Sequence, residues 1–309
     1  MEKQHRVIAL GFFDGVHLGH GALLRAVKET ADRLGAVPAA LTFDESPAAV
    51  ITGRTVPLLT TVQERADLME RLYGIQEVVV APFQTMQHMD WEDFITEYLV
   101  NGLGVVHVVA GHDFRFGYQG RGNPDRLRAK CEALGVGCEV IQAVEREGVT
   151  ISSTYIRTLI AQGEMERADR FLGHPFHITG AVNHGKHLGS VLGCPTINLS
   201  LPAEVIAPAF GVYATKVWVL PADPQHLTGE GPYTAVTNVG VRPTVADGDR
   251  MTVECFLLDF SGDLYGRTVR VEFYKYLRPE RKFPSIEALA EEIQHNARQT
   301  REFFAVQGL

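Results

Sequence analysis

A glycine-rich turn that links an apolar run to a helical pattern constrains this chain more than any other feature. The run Val7–Leu10 is apolar, and the string G-F-F-D-G-V-H-L-G-H follows it as Gly11–His20. This order predicts a strand, a turn and the start of a helix, where unpaired backbone N–H groups and the helix dipole favour an anion. A phosphate held there would meet His17 and His20 as donors, and Gly19 has no side chain to block it. The turn therefore predicts attack on a nucleotide phosphate, with imidazole and N–H groups stabilising charge; a pair of helix-capping histidines is the alternative.

The first half of the chain alternates between strand-like and helical patterns. Strand-like apolar runs are found at Val7–Leu10, Val37–Phe43, Glu77–Ala81, Val105–Ala110 and Gly137–Ala143. Helical patterns separate them and cover Ala22–Leu34, Val62–Tyr73, Trp91–Val100 and Asp125–Leu134. Such alternation predicts a parallel sheet with helices on both faces, a doubly wound, Rossmann-like α/β domain. Ligands of these sheets bind beyond the carboxyl ends of the strands, where His17 and His20 are expected.

The pattern changes after Gly173. A helical stretch, Thr154–Leu172, precedes this glycine. Runs with period-two or β-branched character follow it at His177–Val182, Gly211–Leu220, Tyr233–Val239, Met251–Phe260 and Thr268–Tyr274. Turn-forming residues separate these runs, which predicts an antiparallel β-barrel or sandwich. The chain closes with an amphipathic helix from Ser285, the expected cap, to Phe304. We therefore predict two domains, residues 1–173 and 174–309.

Composition excludes several classes of partner. The 309 residues leave room for two domains. They carry 29 basic and 37 acidic side chains, a net charge of −8, with no long basic run. This balance argues against nucleic acid or a membrane surface as a partner, and neither a signal peptide nor a membrane-spanning stretch is recognisable. The four cysteines lack C-x-x-C spacing, so we expect reduced thiols and a cytoplasmic protein. The oligomeric state is left open, with a homo-oligomer among the alternatives.

The ten-residue string, in its strand–turn–helix setting, resembles a segment of the bacterial bifunctional riboflavin kinase/FMN adenylyltransferases, or FAD synthetases. These enzymes have a nucleotidylyltransferase domain and a kinase domain. The resemblance implies that the two histidines are catalytic and that three neighbours belong to the nucleotide site. The implied residues are Gly11, Phe13, His17, Gly19 and His20.

Two further segments resemble motifs of the same adenylyltransferase domain. G-H-D-F-R-F-G follows the fourth strand-like run and resembles G-x-D/N-F-x-F-G, which implies a nucleotide-site role for Asp113. A turn aspartate between core phenylalanines is the alternative. I-S-S-T-Y-I-R resembles I/V-S-S-T-x-I-R; its hydroxyl residues Ser153 and Thr154 can cap a helix and donate to phosphate. Arg157 shares a helix face with Ser153, and its guanidinium suits a triphosphate. Plain capping with a solvated arginine is the alternative.

The second half resembles the family's riboflavin kinase domain. G-C-P-T-I-N resembles G-F-P-T-A-N, which implies that Thr196 and Asn198 offer oxygen ligands to Mg²⁺ and nucleotide phosphates. Glu254 matches the catalytic base, which would accept the proton of the ribityl 5′-hydroxyl. An exposed strand glutamate is the alternative.

A glycine-containing loop precedes the G-C-P-T-I-N motif. It reads G-K-H-L-G-S-V-L-G and resembles the family's phosphate-binding loop, which implies nucleotide contacts for Gly185, Lys186 and Gly189. Near the end of the chain, L-R-P-E and K-F resemble the flavin-side segment, which implies flavin contacts for Arg278 and Phe283.

Several positions depart from the family pattern. Glu45 and Ser46 stand where a proline and a histidine are usual, on the flavin side of the adenylyltransferase site. In the kinase half, Ser190 replaces an arginine, Cys194 a phenylalanine and Asn296 an aspartate. A guanidinium beside phosphate is worth roughly 1.5–3 kcal/mol, so the kinase step is expected to be weaker unless a nearby cation of the loop substitutes.

The resemblance implies two reactions. Riboflavin and ATP would give FMN, and FMN and a second ATP would give FAD and pyrophosphate, with Mg²⁺ as the metal. Two other readings of the sequence stay open. One is an FMN adenylyltransferase with a weak or redirected kinase domain, and the other is a flavin-binding regulator without catalysis.

Overall fold

A computed structural model describes residues 4–183, 196–221, 229–242 and 250–308 of the protein. The chain divides into two compact units, Met1–Ser153 and Thr154–Leu309. None of the described helices is long and apolar enough to cross a membrane.

The first unit alternates strands and helices, as the sequence predicts. Its strands are β1 (Arg6–Leu10), β2 (Val37–Phe43), β3 (Glu77–Ala81), β4 (Val105–Gly111), β5 (Gly137–Ile141), β6 (Glu145–Arg146) and β7 (Val149–Thr150). Its helices are α1 (Leu18–Leu34), α2 (Pro47–Thr52), α3 (Val62–Tyr73), α4 (Phe83–Met86), α5 (Trp91–Asp93) and α6 (Pro124–Ala133). A π-helical segment, Phe94–Gly102, continues α5, and a short 3₁₀ turn forms at Tyr118–Gly120.

Five of these strands form a parallel sheet in the order β3-β2-β1-β4-β5. Strand β1 lies at its centre, and Ile8 pairs with Ala39 on one side and Val108 on the other. Successive residues point to opposite faces, so Val7 enters one apolar core with Leu24 while Ile8 enters a second core on the other face. The predicted doubly wound α/β architecture is confirmed, and the turn after β1 lies at the carboxyl end of the central strand.

The second unit is a barrel with helices. Helices α7 (Ser153–Ala161) and α8 (Met165–Leu172) lead into it, and α9 (Ile286–Gln307) closes the chain. The strands are β8 (Phe176–Asn183), β9 (Thr196–Ser200), β10 (Gly211–Val219), β11 (Glu230–Arg242), β12 (Arg250–Leu257) and β13 (Thr268–Arg278). They form a closed antiparallel barrel in the order β10-β11-β12-β9-β8-β13. Of the two predicted alternatives the barrel is therefore correct, and Ser285 caps α9 by accepting a hydrogen bond from Ala288 N.

Several predicted element bounds are wrong, each for a local reason. Helix α1 begins at Leu18 instead of Ala22, because His17 caps it. The predicted helix 154–172 is broken at Gly163, whose φ of 78° ends α7 and permits the turn into α8. Strand β12 ends at Leu257, three residues early, because Asp259 adopts a left-handed conformation with φ 59°.

Candidate active sites

The turn after β1 is held in an unusual backbone conformation. Phe13 and Val16 both have positive φ, 56° and 40°, although neither is glycine and both are buried. Such a conformation is costly for a β-branched residue and persists only where the surroundings impose it. Asp14 supplies part of that constraint, since its Oδ1 accepts hydrogen bonds from Leu59 N at 2.8 Å and Thr60 N at 3.2 Å. The Thr60 hydroxyl in turn accepts one from Gly15 N at 3.0 Å.

His17 is the N-cap of α1. Its Nδ1 accepts a hydrogen bond from His20 N at 3.2 Å, which places the proton of the neutral ring on Nε2. The His17 and His20 rings are stacked, with centroids 3.6 Å apart and planes 13° from parallel. The Phe13 ring packs against the His20 ring in a T-shaped arrangement, with ring centroids 5.2 Å apart. The structure thus brings the two predicted histidines together at the amino end of α1, with capping and stacking combined in one pair.

The environment of His20 disfavours a positive charge. Burial of the ring lowers its pKa well below the ordinary value, and nearby His17 and Arg65 lower it further. At neutral pH His20 is therefore a neutral imidazole, which can donate one hydrogen bond from its protonated nitrogen.

The two predicted glycines leave space for neighbouring rings. A Cβ at Gly11 would lie 3.0 Å from the Phe13 ring, and one at Gly19 would lie 3.1 Å from the His17 ring. Gly19 therefore has a second role besides leaving room for a phosphate, because it permits the position of the imidazole that caps the helix.

Ser153 is joined to the same turn. Its hydroxyl donates to the Asp14 carbonyl oxygen at 2.9 Å, so the donor predicted for phosphate is used within the protein. Helix α7 begins at this serine. Thr154 is exposed in its first turn and Arg157 is half-buried one turn on.

Asp113 follows β4, the neighbour of β1, and is exposed. It therefore lies beyond the carboxyl end of the sheet, as predicted. The rings of Phe114 and Phe116 stack with centroids 5.5 Å apart and pack against the core, as the alternative interpretation of this motif expects, and the nucleotide-site role of Asp113 stays a prediction.

Ser46, one of the departures from the family pattern, has a structural role. It caps α2 by accepting a hydrogen bond from Ala49 N at 3.3 Å, with Pro47 next in the helix. Glu45 is exposed and accepts a hydrogen bond from Gln84.

The second unit contains a cavity of about 340 Å³ between the outer face of the barrel, α9 and the segment after β13. One part of its wall is apolar and another is polar. The lining residues are Thr196, Val212, Val236, Asn238, Glu254, Phe256, Arg278, Glu280, Arg281, Phe283, Leu289, Ile293 and Asn296.

Strand register assembles the polar end of this cavity. Glu254 on β12 lies directly opposite Asn198 on β9 and Asn238 on β11. Thr196 is two residues before Asn198, so both belong to the same face of β9. Val253 and Cys255 on either side of Glu254 are buried in the barrel, which leaves Glu254 on the outer face. The structure therefore brings Thr196, Asn198 and Glu254 together, as predicted.

Arg278 and Phe283 line the same cavity. The Arg278 guanidinium lies 5.5 Å from the centre of the Phe283 ring. Its Nε is 3.0 Å from Glu292 Oε1 and donates to Asn296 Oδ1 at 3.1 Å. Asn296 is buried and also donates to Glu292 at 3.3 Å. The polar cluster on α9 thus fixes the direction of Arg278.

Some predicted residues lie outside the described part of the chain. They are Gly185, Lys186, Gly189, Ser190 and Cys194.

Other residues of these sites were missed at the sequence level. Asp14 and Thr60 build the turn from positions 46 residues apart, a distance that no local pattern reveals. The one available signal was T-x-x-E at Thr61–Glu64, a capping box that positions α3 beside the turn. In the barrel, Glu280 accepts a hydrogen bond from Asn238 at 3.1 Å.

Comparison with known proteins agrees with this division of sites. Residues 1–155 match the sequence model of FAD synthetase and residues 172–304 match that of riboflavin kinase. The chain therefore combines a nucleotidylyltransferase module with a flavin kinase module.

Curated relatives combine the same two modules. Proteins named bifunctional riboflavin kinase/FMN adenylyltransferase from Listeria monocytogenes and Bacillus subtilis are each 35% identical to the chain, over 97% and 98% of its length and 93% and 94% of theirs. That from Pseudomonas fluorescens is 37% identical over 94% of this chain and 90% of its own. A crystal structure named as a macrolide-efflux protein from Streptococcus pneumoniae is 28% identical, with a TM-score of 0.84 over 97% of this chain and 95% of that one. The chain belongs to the bifunctional riboflavin kinase/FMN adenylyltransferase family.

Proposed function

We propose that the two activities of this family, riboflavin phosphorylation and FMN adenylyl transfer, take place at the two sites described above. The turn after β1 and the start of α1 form the adenylyltransferase site. The cavity on the outer face of the barrel forms the kinase site. The stacked His17–His20 pair at the amino end of α1 supports the first assignment most strongly, because it joins two neutral donors to a helix N-terminus.

In the adenylyl transfer, an oxygen of the FMN phosphate attacks the α-phosphorus of ATP. One P–O bond forms, the bond between the α-phosphorus and the bridging oxygen breaks, and pyrophosphate leaves with that electron pair. His17 Nε2–H and the protonated nitrogen of His20 donate to the phosphoryl oxygens as charge develops. The backbone of Gly11–His20 and the side chain of Asp113 supply the nucleotide contacts of the first unit, and Thr154 and Arg157 keep the phosphate-binding role that their sequence motif implies. Ser153 acts by fixing the turn through Asp14.

In the kinase reaction, Glu254 accepts the proton of the ribityl 5′-hydroxyl while that oxygen attacks the γ-phosphorus of ATP. ADP leaves as the bond to the γ-phosphoryl group breaks. The apolar wall of the cavity suits the flat flavin ring, which Arg278 and Phe283 would contact.

The donor set beside Glu254 fits a magnesium ion. A threonine hydroxyl, an amide oxygen and a carboxylate lie on neighbouring strands, and Mg²⁺ uses few protein oxygens together with phosphate oxygens and water. Thr196 and Asn198 would hold it, and bound Mg²⁺ neutralises charge on the transferred phosphoryl group.

We place the functional boundary at Gly173 and the chemistry in the cytoplasm, where ATP is available. Helices α7 and α8 lie before this boundary in sequence, although they belong to the compact unit of the barrel.

One assay separates the proposal from its alternatives. The protein is incubated with riboflavin, ATP and Mg²⁺, and the flavins are separated. Formation of FMN and FAD is expected. FAD formed from supplied FMN alone would indicate a weak or redirected kinase, and flavin binding without either product would indicate the regulator.

A further inference from the structure

Arg65 on α3 is a fully buried cation near the adenylyltransferase site. Its side chain has no solvent exposure. Nη1 donates to the Thr42 hydroxyl at 2.8 Å and to the Phe43 carbonyl at 3.3 Å. The centre of the guanidinium lies 4.2 Å from the centre of the Phe12 ring, in the turn after β1.

The charge of Arg65 is incompletely compensated in the described part of the chain. No carboxylate there forms an ion pair with it, and its Nε and Nη2 have no hydrogen-bond partner. Burying a charge without these contacts lowers the free energy of unfolding. A protein with a hydrophobic residue of similar volume at such a position is often more stable. Burial lowers the pKa of Arg65 to about 10, while the carboxylate of Asp14 acts in the opposite direction. Arg65 is therefore still positive at neutral pH, and fold stability alone does not account for it.

The surroundings of Arg65 belong to the phosphate end of the site. It follows the Thr61–Glu64 capping box, and the preceding segment is tied to the turn through Asp14. It is also close enough to His20 to disfavour protonation of that ring. Besides each other, the charged and titratable groups that act on Arg65 and His20 are Asp14, which acts on Arg65, and His17, which acts on His20.

We propose that Arg65 is a positioning residue of the adenylyl transfer, a fixed internal cation that strengthens the binding of polyphosphate in front of His17 and His20. This inference rests on the proposed function of the histidine pair. The guanidinium acts through its field, because its unpartnered nitrogens are closed to solvent, and a charge in a poorly polarisable interior acts over several ångströms. The same field adds to the effects of burial and of His17 that keep His20 neutral, so that the ring can serve as a donor without first losing a proton.

The test compares Arg65→Met, which keeps the volume and removes the charge, with Arg65→Lys, which keeps the charge. Arg6→Met is the matched control, because Arg6 is an arginine of the same unit that pairs with Glu77 at the amino end of β1, the end opposite the turn. The full chain is assayed for FAD formation with varied ATP, for riboflavin phosphorylation as an internal standard, and for thermal unfolding.

For Arg65→Met we expect kcat/KM for ATP in adenylyl transfer to fall about 10- to 100-fold, the range of one charge-assisted interaction. Kinase activity should stay within about twofold, and the melting temperature should be unchanged or higher. The acid limb of the pH profile of kcat/KM should move to higher pH, since His20 gains a proton more readily. Arg65→Lys should recover most of the loss, and Arg6→Met should lower stability without this kinetic pattern.

Two results would overturn the inference. One is a well-folded Arg65→Met protein with ordinary kcat/KM and an unmoved acid limb. The other is an equal loss in the methionine and lysine variants that follows their loss of stability. His20→Ala separates the inference from its premise: if that variant is inactive while Arg65→Met is normal, only the role of Arg65 is wrong, and if His20→Ala is fully active, the site itself is wrong.

Discussion

The imidazole of His17 lies face to face with that of His20, 3.6 Å between ring centroids. Two rings at this distance resist simultaneous protonation, because each added charge repels the other. The His17 tautomer is set by the hydrogen bond from His20 N. The amino end of α1 therefore presents uncharged imidazoles beside its backbone dipole, an arrangement suited to an anion that must also be released as product.

His20→Ala should lower the rate of FAD formation by about 10²–10³, as for other lost transition-state donors. The fold and riboflavin phosphorylation should be retained, because the barrel is a separate compact unit. Single-turnover measurement with FMN and ATP gives the rate. His88→Ala, at an exposed histidine of the same unit, is the control. Wild-type turnover in His20→Ala would refute the assignment.

Glu254→Gln should abolish FMN formation and spare FAD formation from supplied FMN. The amide keeps the shape and much of the hydrogen bonding but cannot take the proton. Separation of flavins after incubation with riboflavin, or with FMN, measures the two steps. Glu302→Gln, at an exposed position on α9, should change neither. Equal loss of both activities in Glu254→Gln would show that this glutamate is structural.

Asn296→Leu should raise KM for riboflavin about tenfold with a smaller change in kcat. The leucine removes the acceptor that holds Arg278 Nε at 3.1 Å and one of the donors to the half-buried Glu292, each worth about 1–3 kcal/mol. Asn296→Asp keeps the acceptor for Arg278, so this variant should have a lower KM for riboflavin than the leucine variant. Unchanged KM in a folded Asn296→Leu protein would mean that Arg278 does not contact flavin.

His177 should make the barrel sensitive to acid. Burial, with His174 and Arg270 nearby, lowers the pKa of His177 to about 3, against the smaller effects of Glu272 and the Pro175 carbonyl. Between that value and the ordinary value of about 6.5, the unfolded chain holds a proton that the folded chain lacks, so stability falls as pH falls. His177→Phe should reduce the slope of unfolding free energy against pH by up to about 1.4 kcal/mol per unit. Equal slopes in urea titrations between pH 4 and 6.5 would contradict this.

A chain that ends at Gly173 should form FAD from FMN and ATP but no FMN from riboflavin. Its helix α8, in which Phe171 and Leu172 are buried, would lose its packing against β8 and β13, so we expect self-association in sedimentation experiments. A folded, inactive fragment would show that part of the adenylyltransferase site lies beyond this point.

Elements with strong local patterns were predictable. Val37–Phe43, Glu77–Ala81 and Val62–Tyr73 have the predicted bounds, because continuous apolar runs or a capped amphipathic helix determine each of them locally. The segment predicted as a helix over Trp91–Val100 was only partly right, since most of it is π-helical and Leu103 N bonds to Tyr98 O. A five-residue hydrogen-bond spacing has no distinct signature in side-chain periodicity.

Long-range geometry in the sites was not predictable from pattern. The motif placed Glu254 in the kinase site, but its position opposite Asn198 and Asn238 depends on the register of three strands. Likewise, nothing in the alternation of α3 distinguishes Arg65 from an exposed arginine. Its burial follows from the packing of α3 beside the end of β2, where the Thr42 hydroxyl accepts a hydrogen bond from it.

The barrel is closed and the parallel sheet is open, so the two modules differ in whether they have strand edges. Every barrel strand has hydrogen-bonded neighbours on both sides, whereas β3 and β5 each have one such neighbour in their sheet. An open strand edge is a template on which another chain can add. Val80 on β3 is also exposed. When the protein is heated or crowded, aggregation should therefore start at the edges of the FAD-forming module, and the capacity to make FMN should outlast the capacity to make FAD.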